Sequence, residues 1–288
     1  MEKDLLYFDK LWRDSDPKNG MQHTQETWDK IAEEWSKTPK EEQDKKNKMC
    51  ADLAHYLAEK GVINAESSVV DIGCGFGGNA MEFASIVKQV TCSDISPRML
   101  DFCRDAAAER GLTNLDYLAC DFHAFDIEAG GWSKKYDLVF TSLSPALNGL
   151  GSVKKVNRVS RRWCFNNSFI YRKDSLRNAV LQNVFGKPAT NIWTGDSTYC
   201  LFNILWQMDC SPEVTYYNET ISSQCRLGMD LVRHIVKTII RDREPSAADF
   251  QKVYDFLAES MAVDGIVTKT VESRFAWTLW NVEKWSDD

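Results

Sequence analysis

At 288 residues, 43% hydrophobic and 27% charged, the chain is long enough for one large or two small α/β domains, with an ordinary globular balance. A net charge of −7 gives no global attraction to nucleic acid, and no apolar run reaches the ~18 residues of a membrane span. The opening residues carry charges and no apolar signal core, so a cytoplasmic location is expected.

Three helices are predicted first. Leu5, Leu6, Phe8, Leu11 and Trp12 cluster at near-helical spacing, and Trp28, Ile31, Ala32 and Trp35 form an i, i+3, i+4, i+7 face. A third helix runs over 41–60 on Met49, Leu53, Ala54, Tyr56 and Leu57, and Gly61 stops it. From Ser67 short apolar runs alternate with helical patterns. Strands are predicted at 68–72, 89–94, 115–119, 136–141 and 163–171, with helices at 79–86 and 97–110. A loose connection rich in Gly and Asp joins the third strand to the fourth. Such alternation implies a parallel sheet with right-handed crossovers. Helices follow at 175–185 and 198–208, then a polar strand at 213–221 and a helix pair at 226–241 and 246–262. Two β segments, 265–270 and 274–283, end the chain. No linker or repeat separates these parts. One domain over 1–288 is expected, with a helical cap at 1–64, a core at 65–171 and the remaining sheet with a helical cover at 172–288.

The nine cysteines, at 50, 74, 92, 103, 120, 164, 200, 210 and 225, form no CxxC pair, and the four histidines are dispersed. Reduced thiols and no metal site are expected. Residues 151–177 hold Lys154, Lys155, Arg158, Arg161, Arg162, Arg172, Lys173 and Arg177 against one acid, Asp174. This stretch reads as a solvated helix face with strand flanks, or else as a rim attracting an anionic substrate.

The strongest motif is Val69-Val70-Asp71-Ile72-Gly73-Cys74-Gly75-Phe76-Gly77-Gly78-Asn79, after a buried-strand signal and before a helix. Glycines let the backbone turn sharply and approach a ligand closely. Gly73, Gly75 and Gly78 satisfy GxGxxG, so spacing alone also permits a dinucleotide site. Asp71, two residues before the first glycine, suits a cationic ligand such as S-adenosylmethionine and would repel a pyrophosphate. Asp94 ends the next strand, where its two oxygens can accept both ribose hydroxyls of either ligand. Cys120-Asp121-Phe122 puts an acid and an aromatic where adenine should lie.

Asp71-Ile72-Gly73-Cys74-Gly75-Phe76-Gly77 resembles the first motif of class I S-adenosylmethionine-dependent methyltransferases. The resemblance continues through 93–100, 119–122 and 136–141, and Trp28–Trp35 is similar to the family's helix before the core. It covers about residues 25–170. It implies a Rossmann-like, mostly parallel seven-stranded sheet with helices on both faces, plus N-terminal helices and a helical insertion near the last strands. It implies S-adenosyl-L-methionine as methyl donor and S-adenosylhomocysteine as product. Gly73, Cys74, Gly75 and Gly77 should lie against the methionine part and ribose, with Asp71 beside them. Asp94 should hold the ribose hydroxyls, Ile95 and Met99 should flank adenine, and Asp121 should accept from its amino group. Phe122, Ser142 and the capping aromatic Trp35 complete the expected cofactor set.

Methyl transfer from a sulfonium is an in-line displacement helped mainly by positioning, with a base needed only if the acceptor must lose a proton. No catalytic residue is assigned; His123 and, more weakly, Tyr171 are candidates. Thr141–Asn148 sits where acceptors bind in this fold and lacks the Asn/Asp-Pro-Pro-aromatic signature of amide methylation. A small-molecule acceptor in an enclosed pocket is expected, covered by residues 186–265 and the N-terminal helices, with no nucleic-acid or membrane partner. A non-catalytic ligand-binding regulator and an NAD(P)-dependent oxidoreductase are the alternatives.

Overall fold

The computed structural model describes residues 2–15, 23–35, 40–191, 193–240 and 243–287; for residues 2, 3, 34, 35 and 40–47 it describes the backbone alone. Three helices come first: α1 (Glu2–Ser15), α2 (Gln25–Trp35) and α3 (Lys40–Glu59). The alternating core follows as β1 (Ser68–Ile72), α4 (Gly78–Ala84), β2 (Gln89–Asp94), α5 (Pro97–Glu109), β3 (Leu115–Ala119), β4 (Tyr136–Ser142), α6 (Leu150–Val159) and β5 (Ser160–Asp174). The remainder is α7 (Ser175–Asn183), α8 (Asp196–Gln207), β6 (Glu213–Arg226), α9 (Met229–Ile239), α10 (Ala247–Ser260) and β7 (Ile266–Asn281).

The seven strands form one sheet in the order β3-β2-β1-β4-β5-β7-β6. β1 pairs in parallel with β2 and β4, β2 with β3, and β4 with β5. The order reverses between β1 and β4, the switch point outside whose carboxyl ends open α/β sheets bind ligands. The sheet is mixed. Val282, just past β7, donates to the Arg162 carbonyl near the start of β5, and Thr270 donates to Ser175 Oγ at the end of β5. β7 therefore runs against β5. Leu227 N donating to Gly265 O, and the Ser222–Thr270 hydroxyl contact, set β6 against β7 as well.

The chain divides into two compact units: residues 1–168, 196–215 and 276–288 in the first, 169–195 and 216–275 in the second. In the first, strand alternation gives the central sheet two covered faces. Val70, Ile72 and Val139 pack with Val153 and Val156 of α6 and Leu201, Ile204 and Leu205 of α8. Phe140, on the opposite face from Val139, meets Phe83 of α4 edge-on at 4.8 Å. In the second unit Leu176, Val180, Val232, Ile235, Val236, Val253, Leu257 and Val267 form a separate core from α7, α9, α10 and β7.

Beyond shifted ends, the largest being β5 over Ser160–Asp174 and β6 reaching Arg226, two elements differ from the sequence reading. Helix α6 lies inside the basic stretch and has no N-cap side chain of its own, since Gly149 stands there. Asp9 of α1 supplies the cap, its Oδ1 accepting from Leu150 N at 2.7 Å across 141 positions. A helix capped from so far away shows no local start signal. The two predicted terminal β segments are one strand, whose buried Val271 and Ser273 continue the alternation through the expected gap.

Candidate functional site

The turn after β1 is built for close approach. Gly73, Gly75 and Gly77 all take positive φ, at 72°, 53° and 79°. Gly73 N and Cys74 N both donate to the Ser93 carbonyl of β2, at 2.7 and 3.0 Å. Side chains are excluded for different reasons along the loop. A Cβ at Gly73 would lie 2.1 Å from Ser144 Oγ, so the segment after β4 rests on this glycine. A Cβ at Gly77 would lie 2.3 Å from Cys103 Sγ. At Gly75 nothing lies within 4 Å, and the loop faces open space there.

Asp94 ends β2 beside that opening. Its Oδ2 accepts from Gly75 N and its Oδ1 from Ser96 N, both at 2.9 Å. Each oxygen keeps a second lone pair for a ligand. Burial pushes the Asp94 carboxyl up, against the backbone N–H bonds that pull it down. Ser96 is the N-cap of α5, accepting from Met99 N at 3.1 Å, and its hydroxyl donates to Asp29 of α2. The helix before the core is thereby tied to the residue that also braces Asp94. Ile95 is half-buried and Met99 is buried.

Beyond β3, Asp121 is exposed, and its Oδ1 accepts from His123 N at 2.9 Å. Phe122 is buried in the core cluster, and Lys155 of α6 sits over its ring while donating to the Phe122 and His123 carbonyls. His123 Nε2 lies 3.2 Å from the Pro145 carbonyl, joining the β3 and β4 ends. Beyond β4, Ser142 Oγ accepts from Asn167 Nδ2 at 2.9 Å, and Leu143 takes a φ of 53° and is partly exposed. The side chain of Trp35 lies outside the described residues.

Asp71 is 1% exposed, and its Oδ2 has no hydrogen-bond partner. Burial first, then the neighbouring Cys103 and Asp94, pushes its carboxyl well above the usual range. It sits under the turn, opposite Cys92 in the β1–β2 register. The thiols of Cys74, Cys92 and Cys103 gather there too, from the loop, β2 and α5. Their positions in sequence, 18 and 11 residues apart, show no metal-ligand or redox spacing. Strand pairing and helix packing bring them together.

Four of the eight basic residues in 151–177 pair with acids. Arg161 pairs with Asp137, Arg158 and Lys154 with Asp287, and Arg162 with Glu283. These residues flank the strand ends and helix α6, and their charges are compensated by acids that a window over 151–177 does not contain.

A glycine turn lies at the switch point, with an acid at the end of β2 and an acid-aromatic pair past β3. Residues 69–162 match the family model of a methyltransferase domain. This segment carries a methyltransferase domain. Two sterol 24-C-methyltransferases, from Debaryomyces hansenii and Saccharomyces cerevisiae, are 31% and 32% identical to the chain over 103 residues. That stretch is 34% of this chain and 26% of each relative, so the chain spans about a quarter of the length of the curated relatives it matches. A solved protein of Bacillus halodurans C-125, described as a candidate methyltransferase, shares the fold. Its TM-score is 0.51 at 13% identity, covering 80% of this chain and 98% of that one.

Proposed function

We propose that the chain transfers a methyl group from S-adenosylmethionine to a small-molecule acceptor in the cytoplasm. One observation carries the reading: Asp94 is held by Gly75 N and Ser96 N with lone pairs to spare, beside a loop open at Gly75. A Cβ at Gly75 would occupy that opening, so the residues present fit a ligand lying against the loop. Asp94 would accept from the ribose hydroxyls, Gly73–Gly77 would line the methionine part, and Ile95, Met99, Asp121 and Phe122 would bracket adenine. The bound donor supplies an electrophilic methyl.

The chain's own task is then to place the acceptor atom in line and keep it there. Ser142–Asn148 is suited to that, because Ser144 packs on Gly73 and Pro145 is tethered to His123. His123, held against the Pro145 carbonyl of this segment, is the candidate to take a proton if the acceptor must lose one.

The small-molecule reading is supported by the pairing of Lys154, Arg158, Arg161 and Arg162 with acids, which lowers the charge this half of the basic stretch offers a phosphate backbone. The two matched relatives are named for a sterol substrate, the same broad class. No helix among the described residues is long and apolar enough to cross a membrane. Nine free cysteines support a reducing compartment.

Calorimetric titration with S-adenosylhomocysteine, NAD and NADP tests the donor, and a panel of small acceptors tests turnover. Binding of NAD in place of S-adenosylhomocysteine overturns the reading in favour of an oxidoreductase, and binding without turnover favours a regulator. Salt-sensitive oligonucleotide binding, lost in Arg161→Ala/Arg162→Ala, would overturn the acceptor class.

A further inference from the structure

Among the described residues, one group of three or more metal-ligating side chains has its ligand atoms within reach of a single ion: Cys74, Cys92 and Cys103. Their sulfurs lie within 4.8 Å of one another, and the Cys92 and Cys103 sulfurs are 3.7 Å apart. Ligands at ~2.3 Å around a tetrahedral zinc ion stand about 3.8 Å from each other, so one edge of such a site is already formed. Bringing Cys74 to the same spacing needs a movement of at most about 1 Å. Cys92 and Cys103 are fully buried and Cys74 is 9% exposed, so an ion would enter past the loop.

Two independent observations single out this cluster from ordinary core thiols. Asp71, opposite Cys92 in the strand register and electrostatically coupled to Cys103, keeps an oxygen that is buried and unpartnered. A buried oxygen of that kind costs stability unless something satisfies it. The second is Gly77, where any side chain would strike Cys103 Sγ at 2.3 Å, so the turn is shaped around this thiol.

We propose that Cys74, Cys92 and Cys103 form a site for one thiophilic d¹⁰ divalent cation of the zinc–cadmium class, with the buried Asp71 carboxyl beside it. Binding replaces up to three S–H bonds by metal–sulfur bonds and releases those protons to solvent, with no change of oxidation state. The ion ties the loop at Cys74 to β2 at Cys92 and to α5 at Cys103. The proposal rests on the thiol geometry and is independent of the methyl-transfer reading.

The test uses the full chain, stripped with a chelator. Zn²⁺ alone is titrated by calorimetry with proton release recorded, and Cd²⁺ alone is followed by the ultraviolet thiolate-to-metal charge-transfer band. Binding of one equivalent with proton release and a thiolate band is expected. Cys92→Ser and Cys103→Ser should each weaken it about tenfold or more, and Asp71→Asn should weaken it less. Cys225→Ser, in the second unit, should leave it unchanged. If serine at 103 impairs folding, Cys103→Ala gives the same readout with an apolar group against Gly77. No thiolate band at one equivalent overturns the proposal. So does an unchanged band in Cys92→Ser or Cys103→Ala, or weak binding shared among all nine cysteines.

Discussion

The two units solve the problem of covering a sheet differently. In the first, β1, β2 and β4 are short and buried along nearly their whole length, and the site proposed for the donor lies at their carboxyl ends. In the second, β6 alternates exposed and half-buried residues along almost its whole length, and the core lies with α7, α9, α10 and Val267. The matched methyltransferase segment, 69–162, falls wholly within the first unit. Ligand chemistry at a switch point needs only a few strand ends held rigidly. The second unit is free to be any stable structure that its own helices can complete.

That division is tested most severely at Gly73. Gly73→Ala places a Cβ against Ser144 in a left-handed conformation, and should cost about 2–5 kcal/mol of stability while removing S-adenosylhomocysteine binding. Thermal unfolding and calorimetry on the same sample check both. The counterpart in the second unit is Leu257→Ala, a fully buried truncation expected to cost about 2–5 kcal/mol. Its S-adenosylhomocysteine affinity should stay within about twofold, below the ~0.5 kcal/mol at which distant sites cease to be independent. A large loss of affinity would break the division.

Asp94→Ala sharpens the comparison by keeping the glycines and removing the acid proposed to hold the ribose, along with its bonds from Gly75 N and Ser96 N. A loss of about 1.5–3 kcal/mol in S-adenosylhomocysteine binding is expected, the range for hydrogen bonds to a charged group. Unchanged calorimetric affinity in folded protein would sink the ribose assignment. The smallest effect is acid sensitivity at Asp137, on the first unit's rim. Burial raises this carboxyl, but hydrogen bonds from Arg161 and Ser68 outweigh it and bring it down to about 2. A depressed carboxylate stabilises above its unfolded pKa and loses that contribution as pH falls through the folded value. Asp137 should therefore add stability at neutral pH that disappears between about pH 4 and pH 2, on the order of 1 kcal/mol given the exposed Arg161. In Asp137→Asn the stability lost over this window should shrink by that amount; an identical acid profile would refute it.

Much of the first unit was legible because its signals are local. The strands at 68–72, 89–94 and 115–119 match the structure end for end, since a buried parallel strand is a short apolar run bounded by turn residues. The acid at 94 and the glycines at 73, 75 and 77 announce themselves by spacing. Helix α6 did not, because its cap is Asp9 on α1. The tie from Asp29 to Ser96, the packing of Ser144 on Gly73 and the grouping of three thiols were equally hidden, although each residue was in plain view.

What the sequence determined by itself is the order of the first four strands and the glycine turn that follows β1. These depend on periodicity and on backbone freedom, which neighbouring residues dictate. The tertiary structure alone decided the antiparallel β7, the two-unit division, the bracing of Asp94 and the convergence of Cys74, Cys92 and Cys103 beside Asp71. Those features arise where side chains distant in the chain are packed together, and their cost or benefit exists only after strand order and helix docking have brought them into contact.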